Sequence, residues 1–202
     1  VRAELDRGLP VAAALVLGLL AGNAPAAVDH AGVSGPVITE TRRYYELDAT
    51  LLEPLRQQLA ERALAAGLAG GAIGSTRQDL ETRYRLEPLP TGCRLAALSV
   101  RMDLTLDLPV WRPAGVTRRE LRARWERMIG AITQHEEGHR DNAVRAAREL
   151  HQRLSALGED QDCEVLGKQA QREMLRVKLR FDLREKAYDR RTGHGVSQGS
   201  VL

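Results

Sequence analysis

The sequence predicts an α+β domain, a small antiparallel sheet packed on long helices. Three observations carry this. A run at 98–108 alternates apolar and polar residues without a break, as a strand with one wet face does. Two long stretches, 118–157 and 163–188, keep apolar residues at helical spacing. The elements follow in the order strand, helix, hairpin, helix, helix, which segregates the sheet from the long helices.

The chain's N-terminus reads as an export signal. Arg2 and Arg7 precede a 13-residue apolar run at 9–21, and Ala24-Pro25-Ala26 follows as a small-x-small cleavage site. The run is shorter than the roughly 20 residues of a membrane span. The expected division is a signal peptide over 1–26, a polar leader over 27–36 and one domain over 37–199. The expected location is secreted or periplasmic, with no membrane partner after cleavage near Ala26.

Residues 37–47 (VITETRRYYEL) are β-branched and aromatic, a first strand. Asp48 is placed to cap a helix carrying Leu51, Leu52, Leu55, Leu59 and Ala63. A Gly-rich loop at 67–74 leads to a hairpin. Leu80, Thr82, Tyr84 and Leu86 line its first arm, residues 88–92 turn it, and Leu98 to Leu108 form its second arm. Thr117 and Glu120 have the spacing of a capping box before the long helix. The second long helix carries Leu166, Ala170, Met174, Val177 and Phe181 as its buried line. A Gly- and Ser-rich tail starts at Asp189.

Of 202 residues, 43% are apolar, and only 7 are aromatic, so the core must be built from Leu, Val and Ala. The net charge of +3 is too small to make nucleic acid the expected partner. The basic residues are 27 Arg and 3 Lys, which reads as the bias of an Arg-rich proteome. In an oxidising compartment the only two cysteines, Cys93 and Cys163, are expected to form a disulfide.

Residues 135–139 read His-Glu-Glu-Gly-His, an H-E-x-x-H motif inside the first long helix. His135 and His139 are four apart, so both imidazoles project from one face and can share a zinc ion. Glu136 stands beside them as the general base for a water whose pKa zinc lowers toward 7. Glu137 lies on another face and reads as solvated. Gly138 costs a helix about 1 kcal/mol relative to Ala, which points to a neighbour approaching closely. A catalytic zinc needs a third protein ligand. His30 lies in the leader, and on a continuous helix Glu149 and His151 are roughly 15 and 18 Å away. His194, between glycines after the second helix, is the expected third ligand, and Glu173 the next candidate.

At this point the chain resembles a bacterial family of predicted secreted zinc-dependent proteases, catalogued as domain of unknown function 922. The resemblance rests on the 135–141 string HEEGHRD, Tyr44-Tyr45, and the Cys93 hairpin ending Leu108-Pro109-Val110-Trp111. The closing Tyr188-Asp189, Thr192-Gly193-His194-Gly195 and Gln198-Gly199 extend it. It implies a zincin-like active-site helix and a zinc-dependent metallopeptidase acting on a peptide or protein. Within such an arrangement the 98–108 strand is the candidate to pair with an extended substrate. Tyr188 is a candidate oxyanion donor or a helix-end packing residue. Asp141 and Asp189 either orient a ligating histidine or pair with Arg140 and Arg190. Two other readings use the same motif: a peptidoglycan-directed metal hydrolase, and a non-enzymatic envelope protein with a structural metal.

Overall fold

The structure, a computed structural model, describes residues 35–202 except 69 and 161. The expected signal peptide and the leader up to residue 34, His30 included, lie outside the described residues.

The element order is β1 (Val37–Leu47), α1 (Leu52–Ala65), β2 (Ser75–Leu89), β3 (Gly92–Trp111), α2 (Arg119–Ser155) and α3 (Cys163–Thr192), with a 3-10 turn at Val196–Gln198. The fold is α+β as expected, but the sheet is mixed rather than wholly antiparallel. Its order is β1-β3-β2, with β1 parallel and β2 antiparallel to β3. The sequence separates β1 from β3 by α1 and β2, a crossover long enough to return the chain in the same direction. β3 is therefore the central strand, paired on both edges over 101–107, so that most of 98–108 has no free edge for a substrate. The free edges of the sheet belong to β1 and β2.

Strict alternation gives β3 one apolar face. Val100, Met102, Leu104 and Leu106 pack against Ala143, Ala146, Ala147, Leu150 and Leu154 of α2 and Ala170 and Val177 of α3. Small alanines let the helices close on the sheet, so few aromatics are needed. A second cluster, centred on Trp125, Met128, Leu55 and Leu108, joins α1 and the start of α2 to the sheet. The other face is not simply wet. Asp107 is buried there, and Arg43 of β1 and Arg77 of β2 clasp its carboxylate at 2.7 and 3.0 Å, tying three strands through one charge.

Two expected caps do not form. The α1 start is Leu51, with no side-chain cap, while Asp48 accepts a 2.6 Å hydrogen bond from Gln58 Nε2. α2 begins after Arg118, so Thr117 falls outside the N-cap position and its buried hydroxyl has no partner among the described residues. α3 is capped by Asp162, which accepts from Glu164 N at 2.6 Å. It also runs one turn further than expected, through Thr192.

Cys93 and Cys163 form the expected disulfide. Cys93 also exchanges two backbone hydrogen bonds with Asp160, so the turn end of the hairpin is fixed to the approach to α3. α2 and α3 run antiparallel, joined midway by Glu149, which pairs with Arg153, Arg180 and Arg184 at 2.9, 2.6 and 3.2 Å. Glu173 pairs with Arg153 and Arg176.

Two outcomes follow. The Cys93→Ser, Cys163→Ser double variant should lose roughly 3–5 kcal/mol in urea unfolding, because the bond closes a loop of 70 residues. Burial alone would raise the Glu149 carboxyl, but hydrogen bonds from Arg153 and Arg184 outweigh it and hold it below 4.5. Its contribution is therefore full above the unfolded carboxylate pKa and lost as pH falls through the lower folded value. Glu149→Gln should flatten the acid limb of stability measured between pH 7 and pH 3, relative to wild type.

Candidate metal centre

The motif histidines sit on the inward face of α2, one turn apart, where the helix passes the C-terminal end of α3. His135 and Glu136 are buried, and His139 is nearly so. The two imidazoles meet edge to face with centroids 4.7 Å apart. Their Nε2 atoms stand 3.2 Å from each other. Asp189 of α3 brings Oδ1 to 3.0 Å from His139 Nε2 and 3.5 Å from His135 Nε2.

The tautomers follow from the outer partners. His139 Nδ1 lies 2.8 Å from Glu185 Oε2. Glu185 also accepts from Gln78 Nε2 at 3.0 Å and Asn142 Nδ2 at 2.9 Å. Burial alone would raise its carboxyl, but these three hydrogen bonds hold it below the usual carboxylate range. Glu185 is thus an ionised acceptor, and His139 Nδ1 donates to it. His135 Nδ1 donates to Gln198 Oε1 at 3.1 Å. With Nδ1 protonated on each neutral ring, both Nε2 lone pairs point inward at one another and at Asp189 Oδ1, a buried oxygen with no hydrogen-bond partner. Three acceptors converge with no donor among the described residues.

That arrangement fits a divalent ion. Tetrahedral ligands at about 2.0–2.1 Å stand about 3.3 Å apart, close to the three separations found. Among the described residues these are the three His, Cys, Asp or Glu side chains grouped tightly enough to share an ion. Their titration fits the same geometry. Burial and the neighbouring His139 push His135 down. Burial also works against His139 charging, but the Glu185 hydrogen bond and the Glu185 and Asp189 charges outweigh it and raise its pKa.

Glu136 lies beside this cluster at the base of a cleft of about 640 Å³, which is also lined by the 70–76 segment, Asp189 and His194. Burial raises its carboxyl, opposed by the Thr76 hydroxyl. Thr76 Oγ1 stands 2.9 Å from both the Glu136 backbone carbonyl and Oε2, so the start of β2 touches this residue at its main chain and its carboxylate. Gly74 allows the approach: a Cβ there would meet Ile132 Cγ2 at 2.7 Å and the Glu136 side chain at 3.1 Å.

Gly138 has the reason its helix position suggested. Tyr188 fills the space above it, and a Cβ at Gly138 would overlap the Tyr188 hydroxyl. The Tyr188 ring stacks on His135 at 5.2 Å and meets His139 edge-on at 5.0 Å, so it walls both imidazoles. Its hydroxyl lies 3.4 Å from the Gln134 carbonyl.

The other expected residues are placed as follows. His194 stands at the rim, its side chain 82% exposed and Nδ1 3.6 Å from Asp189 Oδ1. Gly193 takes the left-handed C-cap conformation and His194 itself has φ of 53°, which turns the chain outward there. The third side chain brought to the two histidines is therefore Asp189, not His194. Asp141 is not brought to the site; it is exposed and accepts from Arg140 Nε at 2.8 Å. Glu173 and Glu149 are committed to their arginines. Glu185, Gln198 and Thr76 were missed by sequence reasoning. The available signal for Glu185 was its position four residues before Asp189, on the same side of α3.

These features define an α+β domain with a His-His-Asp cluster clasped between two long helices. The chain belongs to a bacterial family of proteins of unknown function, DUF922, which matches residues 42–195. No curated protein and no solved structure matches it.

The Gly138 contact has a measurable sign. Gly138→Ala should destabilise by roughly 1–3 kcal/mol through overpacking, although Ala alone favours a helix by about 1 kcal/mol. In a Tyr188→Ala background the same change should become neutral or stabilising in thermal unfolding.

Proposed function

We propose that this protein is a zinc-dependent metallopeptidase of the secreted or periplasmic space. The observation that carries the reading is the convergence of His135 Nε2, His139 Nε2 and Asp189 Oδ1, without a donor, next to a buried glutamate in an open cleft. His135, His139 and Asp189 would hold the ion, and the nitrogen-rich donor set favours zinc. Bound there, zinc supplies Lewis-acid polarisation of a carbonyl and acidification of water.

The chain's own groups do the rest. Glu185 and Gln198 fix the ring orientations through the Nδ1 atoms, so that each ring presents its Nε2 to the ion. Glu136 accepts the proton of the attacking water and delivers it to the leaving nitrogen. Thr76 keeps one carboxylate oxygen occupied and turns the other toward the cleft. His194, exposed at the rim of the cleft, is placed to meet substrate or oxyanion rather than to anchor the ion. Since β3 has both edges paired, the free edge of β2 beside Thr76 takes over the expected role of pairing with an extended peptide. The disulfide supports an oxidising compartment, and the 9–21 run with its Ala-x-Ala site supports export.

One observation favours a second reading. The ligand set comes from both α2 and α3, so an ion there would also clamp the helices in a non-enzymatic envelope protein. A single set of proteins separates the two. The purified chain should bind one zinc by equilibrium dialysis and hydrolyse a mixed peptide library. Glu136→Gln should retain zinc and lose at least about a hundredfold in rate. Glu185→Gln should weaken zinc by about 10–100-fold, and Asp189→Ala should weaken it more than His194→Ala. A wild type without zinc affinity would overturn the site. Zinc binding with no hydrolysis above Glu136→Gln would assign the clamp.

A further inference from the structure

α3 carries a second, outward pattern that neither the core nor the site uses. Leu166, Ala170, Met174, Val177 and Phe181 face the core, Tyr188 packs on His135, and Glu185 and Asp189 reach the cleft. On the opposite side Leu175, Leu179 and Leu183 are 57%, 53% and 65% exposed. Each step of four residues turns a helix by only about 40°, so the three leucines form one row. Lys168 and Arg172 flank the row toward the N-terminus, and Lys186 and Arg190 toward the C-terminus, all four exposed. Lys168 pairs with Glu164, and Asp182 at the row's edge pairs with Lys178. Arg172, Lys186 and Arg190 have no ion pair among the described residues.

The order Lys168, Arg172, Leu175, Leu179, Leu183, Lys186, Arg190 is symmetric about Leu179. This symmetry argues against a second copy as the occupant. Antiparallel pairing about Leu179 sets Arg172 against Lys186 and Lys168 against Arg190. Parallel pairing sets each cation against itself. Either way like charges meet, whereas an anionic surface meets both ends of the row at once. The row is also a convex ridge, and the long basic side chains can reach past it, as in helices that lie in a headgroup layer.

We propose that the outer face of α3 docks the domain on an anionic lipid surface. Leu175, Leu179 and Leu183 enter the acyl boundary, and Lys168, Arg172, Lys186 and Arg190 meet headgroup phosphates. No helix among the described residues is long and apolar enough to cross a membrane, so this attachment is peripheral. Glu185 and Asp189 lie on the inner side of α3, so the cleft stays on the aqueous side.

The test is cosedimentation of the full chain with vesicles of phosphatidylglycerol and phosphatidylethanolamine, against phosphatidylcholine alone. The expected result is binding to the anionic vesicles that weakens with added salt. The Leu175→Ser, Leu179→Ser, Leu183→Ser triple variant should bind at least about tenfold more weakly. Arg172→Gln and Lys186→Gln should cost about fivefold each. The 9–21 run is common to every protein compared, so the difference between variants reads α3 alone. An unchanged thermal midpoint shows that each variant is folded, and the charge variants stand if the leucine variant is not. Binding of both variant sets equal to wild type would overturn the proposal, as would equal affinity for neutral vesicles. A dimer in analytical ultracentrifugation that the triple leucine variant dissolves would reassign the face to self-association.

Discussion

The antiparallel contact between α2 and α3 is the constraint on which the rest depends. Its middle is made of alanines on α2 against Ala170 and Val177 on α3, so the helices lie close. At the site the same closeness continues only because residue 138 has no side chain. Tyr188 then lies flat on His135 and brings Asp189, the next residue, over the Nε2 atoms. A larger residue at 138 would lift the end of α3 and separate the two halves of the cluster. The H-E-x-x-H letters supply two imidazoles and a carboxylate, but the glycine within them lets another helix complete the set.

The electrostatics of the cluster follow from who holds the outer nitrogens. An imidazole with both nitrogens facing acceptors is stabilised by a proton, and His139 faces Glu185 on one side and Asp189 on the other. Its pKa is raised accordingly, while His135 is lowered by burial and by the neighbouring His139. The two rings thus differ in proton affinity despite equal positions in the motif. A divalent ion would compete with the His139 proton for the same lone pair, so affinity for it should rise with pH as that proton is lost.

The parts of this fold legible in the sequence are those decided by local pattern. The strict alternation at 98–108, the β-branched run at 37–47 and the two helical stripes each name their element, because one face must be apolar for burial. The partner of β1 was not legible. Whether it joins β3 parallel or antiparallel depends on the path of the crossover, which local pattern does not encode. In the site, His135, Glu136 and His139 were legible through their spacing on one helix. Asp189 was legible as a candidate to orient a histidine or pair with Arg190, but not as the third converging side chain, since that placement depends on one extra helical turn that carries it inward. The same turn leaves Gly193 to reverse the backbone and His194 to face outward. Glu185 was hidden for a different reason: an acidic residue on an amphipathic helix reads as solvated surface until the helix beside it is known.

The two ends of α3 are held by different chemistry, and this bears on what an ion could do. The disulfide fixes the helix at Cys163, roughly 40 Å from Asp189 along the axis. At the far end the contacts are polar: Ser197 to the Thr192 carbonyl, Gln198 to His135, and Glu185 to His139, Gln78 and Asn142. Each of these touches a candidate ligand, a residue that orients one, or the turn between Asp189 and Gln198. The end of α3 is thus positioned mainly by the groups that build the site, and it has no separate apolar anchor comparable to Leu166 or Val177. Clamping and catalysis are then not alternatives at the level of structure. An ion that fixed Asp189 to the two histidines would also fix Tyr188 against Gly138 and His135, beside the cleft that Glu136 lines.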